Sequence, residues 1–169
     1  MIVALQNVAR VHRTQPLEPR LGGGGNPSAS LERSTVPQRQ AIIHNHPQAI
    51  GLNTRVLEQG VTACLDGAAT LRSCADISLT RADVASRRYL VRSLMDGADV
   101  CQATARLFLR QTHPDPRLLR RQLEACLRAC RVCDAELQKY ARRPGPERLG
   151  SEACSTCVHH CEQLLRHLS

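Results

Sequence analysis

The sequence predicts an all-α fold, an antiparallel up-down-up-down four-helix bundle preceded by a disordered N-terminal extension. Three observations carry that reading. Apolar residues and cysteines recur at alternating steps of three and four through four segments of similar length. Short breaks built from proline, glycine and helix-capping residues separate those segments. No stretch shows the period-two alternation of a half-buried strand.

Residues 1–50 precede the pattern. They contain "LGGGGNPSAS" and "TVPQRQ", lack cysteine and show no apolar periodicity, which is linker composition. The bundle is expected over residues 51–169. Its first helix opens at an Asn53-Thr54 cap signal and carries an inward stripe of Leu57, Gly60, Cys64, Gly67, Leu71, Cys74 and Ser78. A second helix is expected directly after Thr80, with Thr80 as N-cap and the Asp83 carboxylate near its positive end. Its stripe is Leu90, Leu94, Gly97, Cys101 and Phe108, and "QTHPDP" stops it because proline cannot continue a helix interior. Asp115 then caps a third helix with Pro116 at its first position. Leu119, Leu123, Cys126, Cys130, Cys133, Leu137 and Tyr140 keep unbroken heptad spacing along it until "RRPGPERLGS". The fourth helix, about 147–168, presents Cys154, Cys157, Cys161, Leu164 and Leu168.

Composition sharpens the question of what fills the core. The 169 residues include nine cysteines but only one Phe, two Tyr and no Trp, so Leu, Ala, Val and the cysteines must do it. Free cysteine is a small hydrophobe, and one or two on an inward stripe would need no further account. Here all nine lie on inward stripes, clustered in "CLRACRVC" and "CSTCVHHC". With a rise of about 1.5 Å per residue, Cys64, Cys101, Cys126 and Cys157 fall at one level, one from each helix. Cys130 and Cys154 come next, Cys133 and Cys74 lie deeper, and Cys161 is shallower.

The chain shows no secretory signal and no apolar run of membrane-spanning length, so a cytosolic location and no membrane partner are expected. Cytosolic thiols stay reduced, and a cysteine pattern there reads as metal-binding or redox-active, not as a disulfide framework. Buried thiolates are costly unless something compensates their charge. Soft Cu(I) does so, and it lets one thiolate bridge neighbouring ions. The expected ligands are Cys64, Cys74, Cys101, Cys126, Cys130, Cys133, Cys154, Cys157 and Cys161.

Zinc is the alternative ion. It prefers a closed tetrahedron of four ligands, and Cys130, Cys133, Cys154 and Cys157 match C-x2-C-x20-C-x2-C. The helical linker "DAELQKYARR" and the absence of glycine after either pair argue against a zinc ribbon, leaving zinc as a competitor within a helical site. Iron-sulfur binding ranks lower, because cluster ligands usually come from wrapping loops. Two further readings stay open. One is a structural or interaction bundle in which the cysteines only pack. The other is a thiol redox sensor, which requires Cα atoms within about 7 Å.

The net charge of +8 arises from 23 Lys and Arg against 15 Asp and Glu. The arginines are interspersed with acidic residues and no aromatics interleave with them, so they read as solvated helix faces, with no nucleic-acid partner. No catalytic grouping is present: no Ser-His-Asp order, no carboxylate pair, and "GGGG" lacks the strand and helix of a nucleotide fingerprint. A non-enzymatic protein is expected.

"CLRACRVCDAE", "CSTCVHHCEQLL", "SCADI" and "DGADVCQATARLFLRQT" together resemble the four-helix-bundle copper-binding family that includes the cytosolic and exported copper storage proteins. The resemblance covers about residues 46–168, including the "HPQAIG" lead-in. It implies a helical bundle whose core cysteines bind many Cu(I) ions without catalytic turnover, often as a homo-oligomer. It also implies that Gly60, Gly67, Leu71, Ser78, Leu90, Gly97, Leu137 and Leu164 stand where the family commonly has cysteine. Capacity should then be reduced and concentrated around Cys126, Cys130, Cys133, Cys154, Cys157 and Cys161.

Such a bundle is expected to load metal through one end. His46, His113 and His167 fall at the end nearer Cys161, and imidazole is a sound copper ligand, so these three are the candidate loading residues. The bland alternative for each is a surface histidine. Of the adjacent His159 and His160, at most one faces inward. Met95 is expected only to pack, and "HNH" around His44 is a weak metal signal.

Overall fold

The structure, a computed structural model, describes residues 38–46, 51–141 and 144–168. Of the extension expected over residues 1–50, residues 1–37 and 47–50 lie outside them, as does the breaker pair at 142–143. Every element among the described residues is helical: α1 (Gln38–His44), α2 (Thr54–Leu79), α3 (Arg88–Phe108), α4 (Pro116–Gln138) and α5 (Pro146–His167), with a 3-10 turn at Val84–Arg87. No described helix is long and apolar enough to cross a membrane.

The caps explain where the helices begin. The Asn53 side chain accepts from the N–H groups of Arg55 and Val56 at 3.0 and 3.3 Å, and Asp115 accepts from Arg117 and Leu118 at 2.8 and 3.4 Å. Each cap satisfies donors that the first helical turn leaves without partners. Pro116 and Pro146 occupy the opening turns of α4 and α5, where proline's missing N–H costs nothing.

Two expectations are corrected. Thr80 does not open the second long helix; it closes α2, with its N–H bonded to Ile77 O and its hydroxyl donated to the same carbonyl at 2.8 Å. A hydroxyl committed backward is not available as a cap, so the chain passes through the 3-10 turn and α3 starts seven residues later than Arg81. The second correction concerns the expected linker through residue 50, which contains α1. Ile43 buries there against the bundle, Gln40 bonds to Glu58, and His44 Nε2 lies 3.0 Å from Glu58 Oε2. A seven-residue helix is too short to hold itself in water and takes its stability from that docking.

Pairs across the interfaces establish the antiparallel arrangement. Gln122 near the start of α4 reaches Thr104 near the end of α3, while Cys133 meets Ser93 further along. Arg120 of α4 bonds the carbonyl of Leu168, which follows α5, and Asp134 bonds Ser151 near the start of α5. Cys64 of α2 meets Cys161 and Cys74 meets Pro146, so α2 and α5 also run in opposite directions. The bundle therefore has an Asp115 end and a Pro146 end, and all inward stripe residues from Leu57 to Leu137 are buried. Each fully buried Leu or Phe contributes about 1.5–3 kcal/mol of burial.

The ends close differently. At the Asp115 end Ile43, Leu52, Phe108, Leu119 and Leu164 are buried. At the Pro146 end the Arg87 guanidinium bonds Glu147 at 2.9 Å and stacks over the Tyr140 ring at 4.4 Å, and the Tyr140 hydroxyl donates to Ser86 O.

Candidate metal centre

All nine cysteines are buried and unbridged. Heptad spacing brings them to the axis from four directions, and their sulfurs meet at van der Waals distance. Cys157 Sγ lies 3.6 Å from Cys64, 3.7 Å from Cys101 and 3.7 Å from Cys126. Cys101 Sγ is 3.5 Å from Cys130 and 3.8 Å from Cys126, and Cys161 is 3.8 Å from both Cys64 and Cys126.

These contacts form two groups of four in which all sulfurs lie within 4.8 Å of one another: Cys64, Cys126, Cys157 and Cys161, and Cys101, Cys126, Cys130 and Cys157. They share Cys126 and Cys157. The single level expected for Cys64, Cys101, Cys126 and Cys157 is thus split, with Cys64 and Cys101 in different groups. Side-chain direction explains the split. Cα–Cβ bonds tilt toward the helix N-terminus, so residues on α2 and α4 lean to the Asp115 end while those on α3 and α5 lean the other way. Cys64 therefore meets Cys161, and Cys101 meets Cys130.

The remaining three thiols continue the series toward the Pro146 end. Interaction with Cys130 and Cys133 lowers the pKa of Cys154 from 9.0 to about 5. Cys133 also reaches Ser93 O at 2.8 Å, and Cys74 donates to Pro146 O at 3.1 Å. Cys126 is likewise pushed toward the thiolate by its hydrogen-bonding contacts with Cys101 and Cys130, then Cys157 and Cys161. The cost appears on the donors. Cys64 and Cys101 are pushed up chiefly by hydrogen bonding to Cys126, Cys133 by bonding to Cys154, and Cys74 by burial. The thiol contacts thus favour the anionic form at Cys126 and Cys154 and the protonated form at their neighbours.

The positions without sulfur are filled in pairs. A Cβ on Gly60 would collide with Leu164, one on Gly97 would collide with Cys133 Sγ and press on Leu71 at 3.3 Å, and one on Gly150 would meet Leu137 at 3.0 Å. Among the described glycines within helices, Gly67 alone leaves ordinary room, with Cys157 Cβ 3.9 Å away. Gly150 was not singled out by the sequence reading, although it sits one turn before Cys154 on the same stripe.

No histidine joins a sulfur group among the described residues. Chain order puts His46, His113 and His167 at the Asp115 end; His113 is exposed with a left-handed φ of 47°, and His167 is exposed. Neither His159 nor His160 points into the core. His159 is exposed at the edge of a cavity that Cys130 and Cys154 also line, and His160 is half-buried beside Gln163. Met95 is 40% exposed and does not serve the core.

Comparison with known proteins bears on this arrangement. The sequence model of the family described as copper storage protein matches residues 53–166. Among solved structures, the copper storage protein of Streptomyces lividans loaded with 10 copper equivalents superposes with a TM-score of 0.73 at 31% identity, over 76% of this chain and 98% of that one. The same Streptomyces lividans protein, cytosolic and loaded with five coppers, matches at 34% identity and a TM-score of 0.65, over 66% and 93% of the two chains. A histidine-to-alanine variant of it matches at 34% identity and 0.68, over 70% and 99%. No curated protein matches the sequence.

Proposed function

Because the chain belongs to the copper storage protein family, we propose that it takes up several Cu(I) ions among its core sulfurs and holds them as a cytosolic reserve, without catalytic turnover. The observation that carries the reading is the pair of overlapping four-sulfur groups. Six buried sulfurs with two held in common suit an ion that accepts few ligands and tolerates bridging thiolates. The nine cysteines are the proposed ligands, with Cys126 and Cys157 central. Capacity is reduced relative to a bundle with sulfur on every stripe position, since Leu164, Leu137 and Leu71 occupy the volume that further sulfurs would need. The carrier state is a homo-oligomer, to be sized by light scattering.

Zinc is the second reading, and one measurement favours it. A tetrahedral Zn site with Zn–S of about 2.3 Å has a sulfur–sulfur edge of about 3.8 Å, close to the 3.6–3.9 Å spacings around Cys157. Anaerobic titration against a chromophoric Cu(I) competitor, repeated with Zn(II), separates the two. Saturation above two Cu(I) per chain is the expected result. Tight uptake of Zn(II) with weak Cu(I) binding overturns the storage reading.

A further inference from the structure

The sulfur core has closed ends. At the Asp115 end Leu164 lies one turn beyond Cys161 and fills the space beside Gly60, with Phe108 and Leu119 buried around it. An ion moving from His113 or His167 toward Cys161 would cross an apolar layer that offers no ligand, which is costly for a charge. At the Pro146 end the guanidiniums of Arg81 and Arg87 converge on the single carboxylate of Glu147, at 3.9 and 2.9 Å. Arg87 also pairs with Asp83 at 2.8 Å and stacks over the Tyr140 ring at 4.4 Å, so mutually paired charges and an aromatic ring cap this end.

The flank between α4 and α5 has the opposite character. A cavity of about 260 Å³ is lined there by Cys130, Cys154, His159, Asp134, Glu162 and Arg131, among others. Cys130 and Cys154 are each only 1% exposed, so they form its floor, while His159 is exposed at its rim. The Gln163 side-chain nitrogen lies 3.0 Å from His159 Nε2 and steadies the ring. Asp134 accepts from Ser151 and Gln138, and Glu162 pairs with Arg131 at 2.8 Å. Two carboxylates against one guanidinium give this groove a negative excess. Nitrogen, then sulfur, is also the order of increasing softness from solvent to core.

Resting on the storage reading above, we propose that Cu(I) passes between solvent and core through this α4–α5 flank, with His159 as the outer ligand and Cys154 and Cys130 as the first sulfurs. A copper donor delivers the ion by ligand exchange: a His159 ring nitrogen displaces one donor ligand, which leaves with the donor. A sulfur of the cavity floor then replaces the imidazole, Cys154 as a thiolate or Cys130 with loss of its proton to water in the groove. No electrons move, and Cu(I) stays Cu(I). Cys130 next hands the ion to Cys101, 3.5 Å away, inside the second four-sulfur group.

The test is anaerobic stopped-flow loading of the full chain from Cu(I)-bicinchoninate, following the loss of donor colour. His159→Ala is expected to slow loading about tenfold, and Ser155→Phe, which fills the groove from its edge, to slow it at least as much. His113→Ala/His167→Ala tests the rival route. Wild-type loading rates for His159→Ala, whose exposed position leaves folding intact, overturn the flank route, as does comparable slowing in the double variant. The plateau is read separately: a wild-type chain that takes up no Cu(I) at equilibrium overturns the storage reading itself.

Discussion

Leu164 Cγ lies 3.1 Å from the point that a Cβ on Gly60 would occupy, and its Cδ1 is closer still. The two residues are therefore complementary halves of one packing unit: leucine on α5 requires hydrogen on α2.

Gly60→Ala is expected to destabilise the metal-free bundle by about 1–2 kcal/mol. Overpacking costs about 1–3 kcal/mol, and the better helix propensity of alanine returns up to about 1. In a Leu164→Ala background the same substitution should become neutral or stabilising. Urea unfolding of the four proteins in the cycle measures the coupling, and additive effects would rule the unit out.

Gly67 behaves in the opposite way, because Cys157 Cβ stands 3.9 Å from its missing Cβ. Gly67→Cys should be tolerated and should raise the Cu(I) stoichiometry in the competitor titration. Gly97→Cys, which meets Cys133 Sγ and Leu71, should lower stability instead. Equal effects of the two substitutions on the melting temperature would contradict this account.

Cys126 belongs to both four-sulfur groups and Cys74 to neither. Cys126→Ser is therefore expected to reduce bound Cu(I) far more than Cys74→Ser, at similar cost in apo stability. Metal analysis of the loaded, desalted proteins checks it, and equal losses would show that the groups do not act as units.

Apo stability should pass through a maximum with pH. Cys154 is depressed to about 5, so its contribution is complete above the unfolded thiol value of 9.0 and is lost as pH falls toward 5. Cys64, Cys101, Cys130, Cys133 and Cys157 are raised instead. The folded chain keeps those protons where the unfolded chain releases them, so stability falls as pH rises beyond 9.0. Melting under reductant should peak at about pH 8. A melting temperature still climbing at about pH 10 would refute the assignment.

Glu147→Gln should cost about 2 kcal/mol, less than the roughly 3–5 kcal/mol of a buried ion pair broken outright, since Arg87 keeps Asp83 at 2.8 Å. Denaturant unfolding at low and high salt reads it. A large salt dependence of the wild-type chain would mean that the pair is solvated after all.

Much of this was legible in the sequence because its causes are local. Asp115 before Pro116 names a helix start through two independent preferences, and the stripe from Leu119 to Leu137 needs only the helical period. Thr80 misled because a hydroxyl can serve a helix at either terminus, and here it bonds back to the Ile77 carbonyl. The α1 helix has too few residues to show a period, and only the buried Ile43 reveals its purpose. Axial arithmetic found the level of the central cysteines but not which sulfurs meet, since that depends on the lean of each side chain. The flank cavity needs Asp134, His159 and Glu162 from two helices, and no spacing along one chain segment encodes their convergence.

Cys126 and Cys157 belong to both sulfur sets, so the two sets cannot fill or drain as independent wells. Were each set to hold an ion, Cys126 and Cys157 would have to bridge the two, and the departure of one ion would alter half of the other's donors. On the proposed ligand set, uptake and release would be linked in succession, each ion's tenancy conditioned by its neighbour's.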